Sequence, residues 1–287
     1  MKEMSIEDIQ KVSLEILKDV HAFCVENNIS YTLYGGTMIG AIRHKGFIPW
    51  DDDIDVSMPR EDYDKYVKLQ YEYEGTPYFI QTWRTDPHYT YCFAKLRDSS
   101  TTFIENFYVN HRINHGVWID IFPLDGMSYK DKPREKCAPR IRFVWWMNYM
   151  SYLPQLTRKF HKETFFKDLG LNIIGCLFYI MDPFHIRNRI VERHLRHYKL
   201  NKSVLAGNYY DFKPKQQAMP ISLFKEFIEV PFEDIMVTAP KEYDKYLTMS
   251  YGDWRTPPPK EKQIGMHFDK GFSLTQGYKE YMKEHRI

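Results

Sequence analysis

Cysteine is scarce in this 287-residue chain, and the four present, Cys24, Cys92, Cys137 and Cys176, form no Cys-x-x-Cys pair. That spacing excludes the usual zinc and redox motifs. A disulfide framework is not expected at this length, and reduced, mostly buried thiols fit a cytoplasmic protein. Long apolar runs are missing too. The longest, Leu171 to Met181, is interrupted by Asn172 and is too short to span a bilayer. Met1 to Lys18 carries charges throughout and has no apolar h-region, so no signal peptide is expected. Neither sign of charge dominates: the net value of +2 argues against a dedicated nucleic-acid binder, whose affinity rests on neutralising phosphates. There is no internal repeat or low-complexity tract, and ordinary apolar and charged fractions exclude a disordered or collagen-like chain.

What the chain has in quantity is aromatic residues, 16% of the total. They fill cores, but they also build stacking platforms and cages for cations. Ser5, with Asp8 three residues on, predicts a helix start, and Ile6, Ile9, Val12, Ile16, Val20 and Phe23 recur near helical spacing until Asn27-Asn28. Tyr31 to Tyr34 reads as a short strand broken by Gly35-Gly36, followed by a helix from Thr37 to His44. A second strand is expected over Asp53 to Met58 and a helix over Glu61 to Tyr71, and Tyr78 to Ile121 is strand-like. Residues 130 to 200 then hold 15 Lys and Arg against 6 Asp and Glu, and read as helical and aromatic-rich. Alternation of strands and helices in the first half implies a mixed core.

The most informative stretch is Asp51-Asp52-Asp53-Ile54-Asp55-Val56. Side chains alternate along a strand, so Asp53 and Asp55 share one face while Ile54 and Val56 enter the core. Two carboxylates so placed repel each other unless they share a hard cation, which prefers oxygen ligands and recruits phosphates. An acidic surface turn is the plainer account of such a run. Neighbouring features favour the site. Gly35-Gly36, ahead of a helix, permits close backbone approach by an anion. Asp120 lies between Ile119 and Ile121 just as Asp55 lies between Ile54 and Val56. Lys95 and Arg97 are two apart on another strand, both facing a phosphate or both on a solvated edge.

Gly-Gly, helix, Asp-x-Asp and a distant strand Asp together resemble the nucleotidyltransferase superfamily, and more closely the LicD family of phosphotransferases. The LicD resemblance runs from Tyr34-Gly35-Gly36-Thr37 through Gly40-Ala41-Ile42-Arg43-His44-Lys45-Gly46-Phe47-Ile48-Pro49-Trp50 to Val56. It continues at Ala94 to Asp98, at Trp118 to Asp125, and at Tyr251-Gly252-Asp253-Trp254 on to His267. It implies an α+β fold, a nucleotidyltransferase-like mixed sheet flanked by helices with a basic helical insertion. Residues 1–128 are then the core with the metal site, 129–204 the basic aromatic insertion or lobe, and 205–287 the part completing the core.

The same resemblance implies a Mg²⁺-dependent enzyme (Mn²⁺ as the substitute) that uses a CDP-alcohol donor, commonly CDP-choline, and releases CMP. The acceptor would be a hydroxyl of a cell-surface glycan, such as a teichoic acid or lipopolysaccharide, or of its lipid-linked precursor. Asp53 and Asp55 would be metal ligands, and Asp120 a third ligand or the base. Gly35, Gly36, Thr37, Arg43, Lys45, Trp50, Asp52, Lys95, Arg97 and His267 are candidate substrate contacts, with Arg and Lys the usual phosphate partners. A quaternary ammonium group needs aromatic walls, for which Trp50, Trp83, Tyr91, Trp118 and Trp254 are available. His115 reads as structural. Residues 140–160 mix aromatics with basic flanks, including Arg158 and Lys159, which suits peripheral contact with the inner face of a membrane or simply a basic helical exterior. Two other functions fit an Asp-x-Asp site: a nucleotide-sugar-dependent glycosyltransferase, or a non-catalytic nucleotide- or choline-binding module.

Overall fold

A computed structural model of the chain describes residues 5–105, 108–109, 111–151, 165–182, 185–208, 218–265 and 269–285. Helix α1, Ile6–Glu26, starts where the capping pattern predicts it: the Ser5 hydroxyl accepts from the Asp8 amide at 3.2 Å. Its apolar stripe is buried through Ile9, Ile16, Leu17 and Val20, and Asn28 turns the chain away in a left-handed conformation, φ 49°.

The main sheet is mixed. Strands β1 (Thr32–Leu33), β2 (Asp55–Pro59), β3 (Tyr78–Gln81), β4 (Ala94–Asp98) and β6 (Val117–Met127) lie in the order β1-β2-β6-β4-β3, with β5 (Thr102–Glu105) outside it. The β2–β6 pair is parallel; the β1–β2, β6–β4 and β4–β3 pairs are antiparallel. The far end of β6 pairs with β7, Leu205–Gly207, which pairs with β8, Met219–Pro220. Val56, Ile119, Ile121 and Leu96 join the stripe of α1 in one continuous core. Burying that face leaves the opposite face of the sheet, with Asp55, Asp120 and Lys95, to carry polar chemistry.

Between β1 and β2 run helix α2, Gly35–Ile39, and a π-helical turn, Gly40–His44; helix α3, Arg60–Lys68, follows β2. The basic stretch is helical as expected, with α4 (Asp131–Ser151), α5 (Phe165–Ile180) and α6 (Ile186–Leu195). It packs a smaller core of its own, in which Cys137, Ile141, Val191 and Leu195 meet Trp83, Cys92 and Met127. The buried carboxylate of Glu192 fixes α6 to the sheet by accepting a two-pronged pair from Arg84, 2.7 and 2.5 Å, and the Trp83 indole, 3.0 Å. The chain then returns as the hairpin β9–β10 (Phe227–Phe232 and Ile235–Pro240), helix α7 (Tyr243–Tyr251), strand β11 (Asp269–Ser273), which pairs with β5, and helix α8 (Tyr278–His285). Residues of β9, β10 and α7 belong to the same core as α1 and the main sheet.

Candidate active site

Register decides which polar groups meet. Asp55 pairs with Asp120 across the parallel β2–β6 ladder, and Asp120 pairs with Lys95 across β6–β4. Three charged side chains therefore form one row on one face, though they are far apart in sequence. Lys95 Nζ lies 2.7 Å from Asp120 Oδ1, both groups buried, in a contact governed by charge rather than by hydrogen-bond alignment. The ammonium also sits 4.1 Å from the ring centre of Trp118, over its face.

The strand β2 is shorter at its start than expected, beginning at Asp55 rather than Asp53. The turn at Pro49-Trp50 and the pull of Gln10, whose Nε2 donates to the Asp51 carbonyl at 2.8 Å, keep residues 51–54 in an extended loop. Alternation nonetheless persists: Ile54 and Val56 are fully buried while Asp53 and Asp55 are half-exposed. The loop gathers acids tightly, so that carboxylate oxygens of Asp51, Asp52 and Asp53 lie within 4.8 Å of one another. Burial, and then the charges of Asp53, Asp120 and Asp51, push the Asp55 carboxyl well above the usual carboxylate range, with Lys95 opposing them. An all-oxygen set this crowded with negative charge fits a hard divalent cation, which would relieve that repulsion.

The glycine pair explains how the backbone comes so close. Gly35 has φ +57°, and a Cβ there would lie 2.8 Å from Asp55 Oδ2; one on Gly36 would lie 3.1 Å from Asp51 Oδ2. The first turn of α2 thus nests between two carboxylates. Thr37 locks it in place by accepting the Asp55 amide proton on its hydroxyl at 2.8 Å. The loop before the acids is held from far along the chain. In the turn of the β9–β10 hairpin, Glu233 donates its amide to the Lys45 carbonyl, 2.8 Å, and accepts the Phe47 amide on its carboxylate, 3.0 Å.

A model of the family described as LicD/FKTN/FKRP, nucleotidyltransferase domain, matches residues 28–166, the stretch that contains these groups up to α4. The chain is 31% identical over 284 residues to the lipopolysaccharide cholinephosphotransferase LicD of Haemophilus influenzae, covering 96% of this chain and 100% of that protein. It belongs to the LicD family. An uncharacterised protein of Rickettsia typhi is 34% identical over 82 residues, 28% of this chain and 26% of that one. One of Rickettsia prowazekii is 35% identical over 81 residues, 28% and 30% of the respective chains.

Within this LicD chain the expected contacts separate into distinct environments. Asp55, Asp120 and Lys95 form the row, Gly35 and Thr37 meet Asp55, and Gly36 meets Asp51, whereas Asp52 and Asp53 gather with Asp51, the one carboxylate trio among the described residues within 4.8 Å. Arg43 is turned aside, donating from Nη1 to the Trp254 carbonyl at 2.7 Å and from Nε to His44 at 2.9 Å. Lys45 is exposed in a left-handed conformation, φ 63°. Arg97, 1% exposed, is buried beneath the row, donating to Gln81 at 2.6 Å and the Gly116 carbonyl at 2.7 Å, with Glu105 3.6 Å away and the Trp118 ring 4.8 Å from its Cζ. Such a guanidinium braces Trp118 and β4 rather than reaching outward. His267, with Arg158 and Lys159, lies outside the described residues. His115 is structural, its Nε2 bonded to the His111 carbonyl at 2.9 Å in a fully enclosed position.

The aromatics divide in the same way. Trp83 and Trp254 are buried against Arg84 and Arg255, and Trp50 meets His44 edge-on. Tyr91 is different. Starting beside Asp120, Phe122 packs on Phe93 (4.5 Å between ring centres), Phe93 on Tyr91 (4.8 Å), Tyr91 on Trp145 (6.1 Å) and Trp145 on Tyr149 (5.7 Å). Tyr91, Phe122, Trp145 and Tyr149 are half-exposed. This wall was not foreseen beyond Tyr91, because Trp145 and Tyr149 come from α4, one helical turn apart, and sequence spacing gives no sign of which strand that turn faces.

Proposed function

We propose that this LicD-family enzyme transfers phosphocholine, or a related phospho-alcohol, from a CDP-linked donor to a hydroxyl of a cell-surface glycan or its lipid-linked precursor, releasing CMP. The name of the Haemophilus relative supports phosphocholine and lipopolysaccharide as the group and the acceptor class. The observation that carries the reading is the Asp55–Asp120–Lys95 row opening directly onto an aromatic wall. A diphosphate needs the first and a quaternary ammonium the second.

In this reading Asp53, Asp55 and Asp120 hold Mg²⁺ (or Mn²⁺), with Asp51 and Asp52 alongside. When bound, the ion neutralises the charge that develops on the diphosphate oxygens. Lys95, paired with Asp120 at 2.7 Å, adds positive charge beneath the transferred phosphoryl group. The Gly35-Gly36 backbone borders the phosphates; Lys45, exposed, and Trp50 are further candidate contacts, and Arg43 would reach the donor only by leaving Trp254 and His44. The acceptor oxygen attacks the phosphorus that bears choline, the bond to the bridging oxygen breaks toward CMP, and the hydroxyl proton passes to a carboxylate, which is Asp120 if Asp120 serves as the base in place of a third ligand. Tyr91, Trp145 and Tyr149 face the choline methyl groups. We also assign the chain a nucleotidyltransferase-like fold, with 129–204 as a lobe whose Trp145 and Tyr149 supply this wall; of the expected membrane segment 140–160, residues 152–160 lie outside the described residues.

Isothermal titration of CDP-choline, CDP-ribitol and CDP-glycerol tests the assignment, with and without Mg²⁺, on the native chain and on Asp53→Ala/Asp55→Ala. Tight binding of one CDP-alcohol that requires Mg²⁺ and is lost in the double variant is expected. Binding of nucleotide-sugars alone, or binding indifferent to both metal and carboxylates, overturns the donor assignment.

A further inference from the structure

Helix α5 contradicts the ordinary economy of a surface helix. Phe166, Leu169, Ile173, Leu177 and Ile180 recur at intervals of three and four, which is the spacing of a stripe that faces a core. Here the stripe faces outward: Phe166 is 85%, Leu177 53% and Ile180 70% exposed. Its neighbours extend the apolar surface. On α4, Phe143 and Trp146 are exposed and stacked on each other, 6.0 Å between ring centres. On α6, Ile186 and Ile190 are exposed one turn apart. Trp146 meets Phe178 of α5, 5.7 Å between ring centres, so the exposed edges of α4 and α5 adjoin. Single exposed apolar residues need no account, but a helical stripe joined by a second helix does.

Charge identifies what covers it. Exposed Arg140, Arg142, Lys167, Arg189 and Arg193 lie on the same three helices, in a stretch where Lys and Arg outnumber Asp and Glu by 15 to 6. A second copy meeting the same face would set basic against basic, a like-charge juxtaposition that disfavours association. An anionic bilayer offers apolar depth and negative headgroups together. Helix α5, 16 residues, is about 24 Å long, short of the roughly 30 Å hydrocarbon thickness. Among the described residues no helix is long and apolar enough to cross a membrane.

We infer that the outer face of α5, with the exposed edges of α4 and α6, is a monotopic docking surface for an anionic lipid bilayer. Helix α5 lies in the interface plane with its stripe among the upper acyl chains, and the arginines of α6 engage lipid phosphates. The inference is independent of which group the enzyme transfers.

Flotation of the full chain tests it, using vesicles of phosphatidylglycerol with phosphatidylethanolamine, and vesicles of phosphatidylcholine alone, at low and high salt. The chain should float with the anionic vesicles at low salt and less at high salt. Ile173→Glu/Leu177→Glu should lower the bound fraction about tenfold or more, as should Arg189→Glu/Arg193→Glu, each reversed charge removing about 1 kcal/mol or more of attraction. All four positions are exposed, so both variants should melt like the native chain. Failure to float with anionic vesicles at low salt overturns the proposal. So does a native dimer that Ile173→Glu/Leu177→Glu converts to a monomer without altering flotation, since the stripe would then be a subunit interface.

Discussion

At the scale of single residues, the site rests on positions where nothing larger fits. Gly35 combines positive φ with a carboxylate 2.8 Å from where a side chain would begin. Gly35→Ala should therefore cost about 1–2 kcal/mol of backbone strain and push Asp55 out of line with Asp120. Thermal melts and transfer assays should show activity falling by far more than that loss of stability explains. Lys95 and Asp120 permit a cleaner separation. Asp120→Asn strands a buried ammonium and Lys95→Met strands a buried carboxylate, each costing about 3 kcal/mol. The double variant Lys95→Met/Asp120→Asn should recover most of that stability in denaturant titrations while staying inactive, as the proposed role of both charges in the reaction requires. The sequence made the carboxylates legible through alternation, since Ile54 and Val56 mark the buried side. It left Arg97 ambiguous, because period-two spacing gives the face a residue shares and not how deeply its end is enclosed.

At the scale of elements, helix α1 and the β2 alternation follow from local periodicity and capping, and the helical character of the basic stretch from its lack of strand signals; the described residues agree with all three. What local pattern withholds is register. The row Asp55–Asp120–Lys95 needs a parallel pairing of β2 with β6 and an antiparallel one of β6 with β4, which no window of sequence encodes. The aromatic wall has the same origin, joining β6 and the segment before β4 to a turn of α4. Replacing Trp145 and Tyr149 with Ala should weaken binding of a choline donor about tenfold, in the range of one to two cation–π contacts. Binding of the matching ethanolamine donor, compared by titration, should change little. Equal losses for both would assign these rings to packing alone.

At the scale of the molecule, two enclosed histidines link the site to acid stability. Burial, followed by the charge of its neighbour His115, holds His111 down to about 3; burial, followed by the charge of Arg97, holds His115 down to about 4. In the unfolded chain both take up protons near their ordinary value of 6.5, whereas in the folded chain they stay neutral. Their contribution is thus fully present above pH 6.5 and is lost as the pH falls from there through about 4 for His115 and about 3 for His111. Urea titrations across that window should show unfolding free energy declining with acid, and His115→Asn should flatten the decline.

The grip of Glu233 on the loop at Lys45 and Phe47 spans 186 residues. On a ribosome the acidic loop emerges well before its anchor. Until the hairpin of residues 227–240 leaves the exit tunnel, a nascent chain displays its acids on a loop that lacks this tether. The posture of the acids is in this way set by a segment translated long after them, and a chain cut short before the hairpin is born without the clasp.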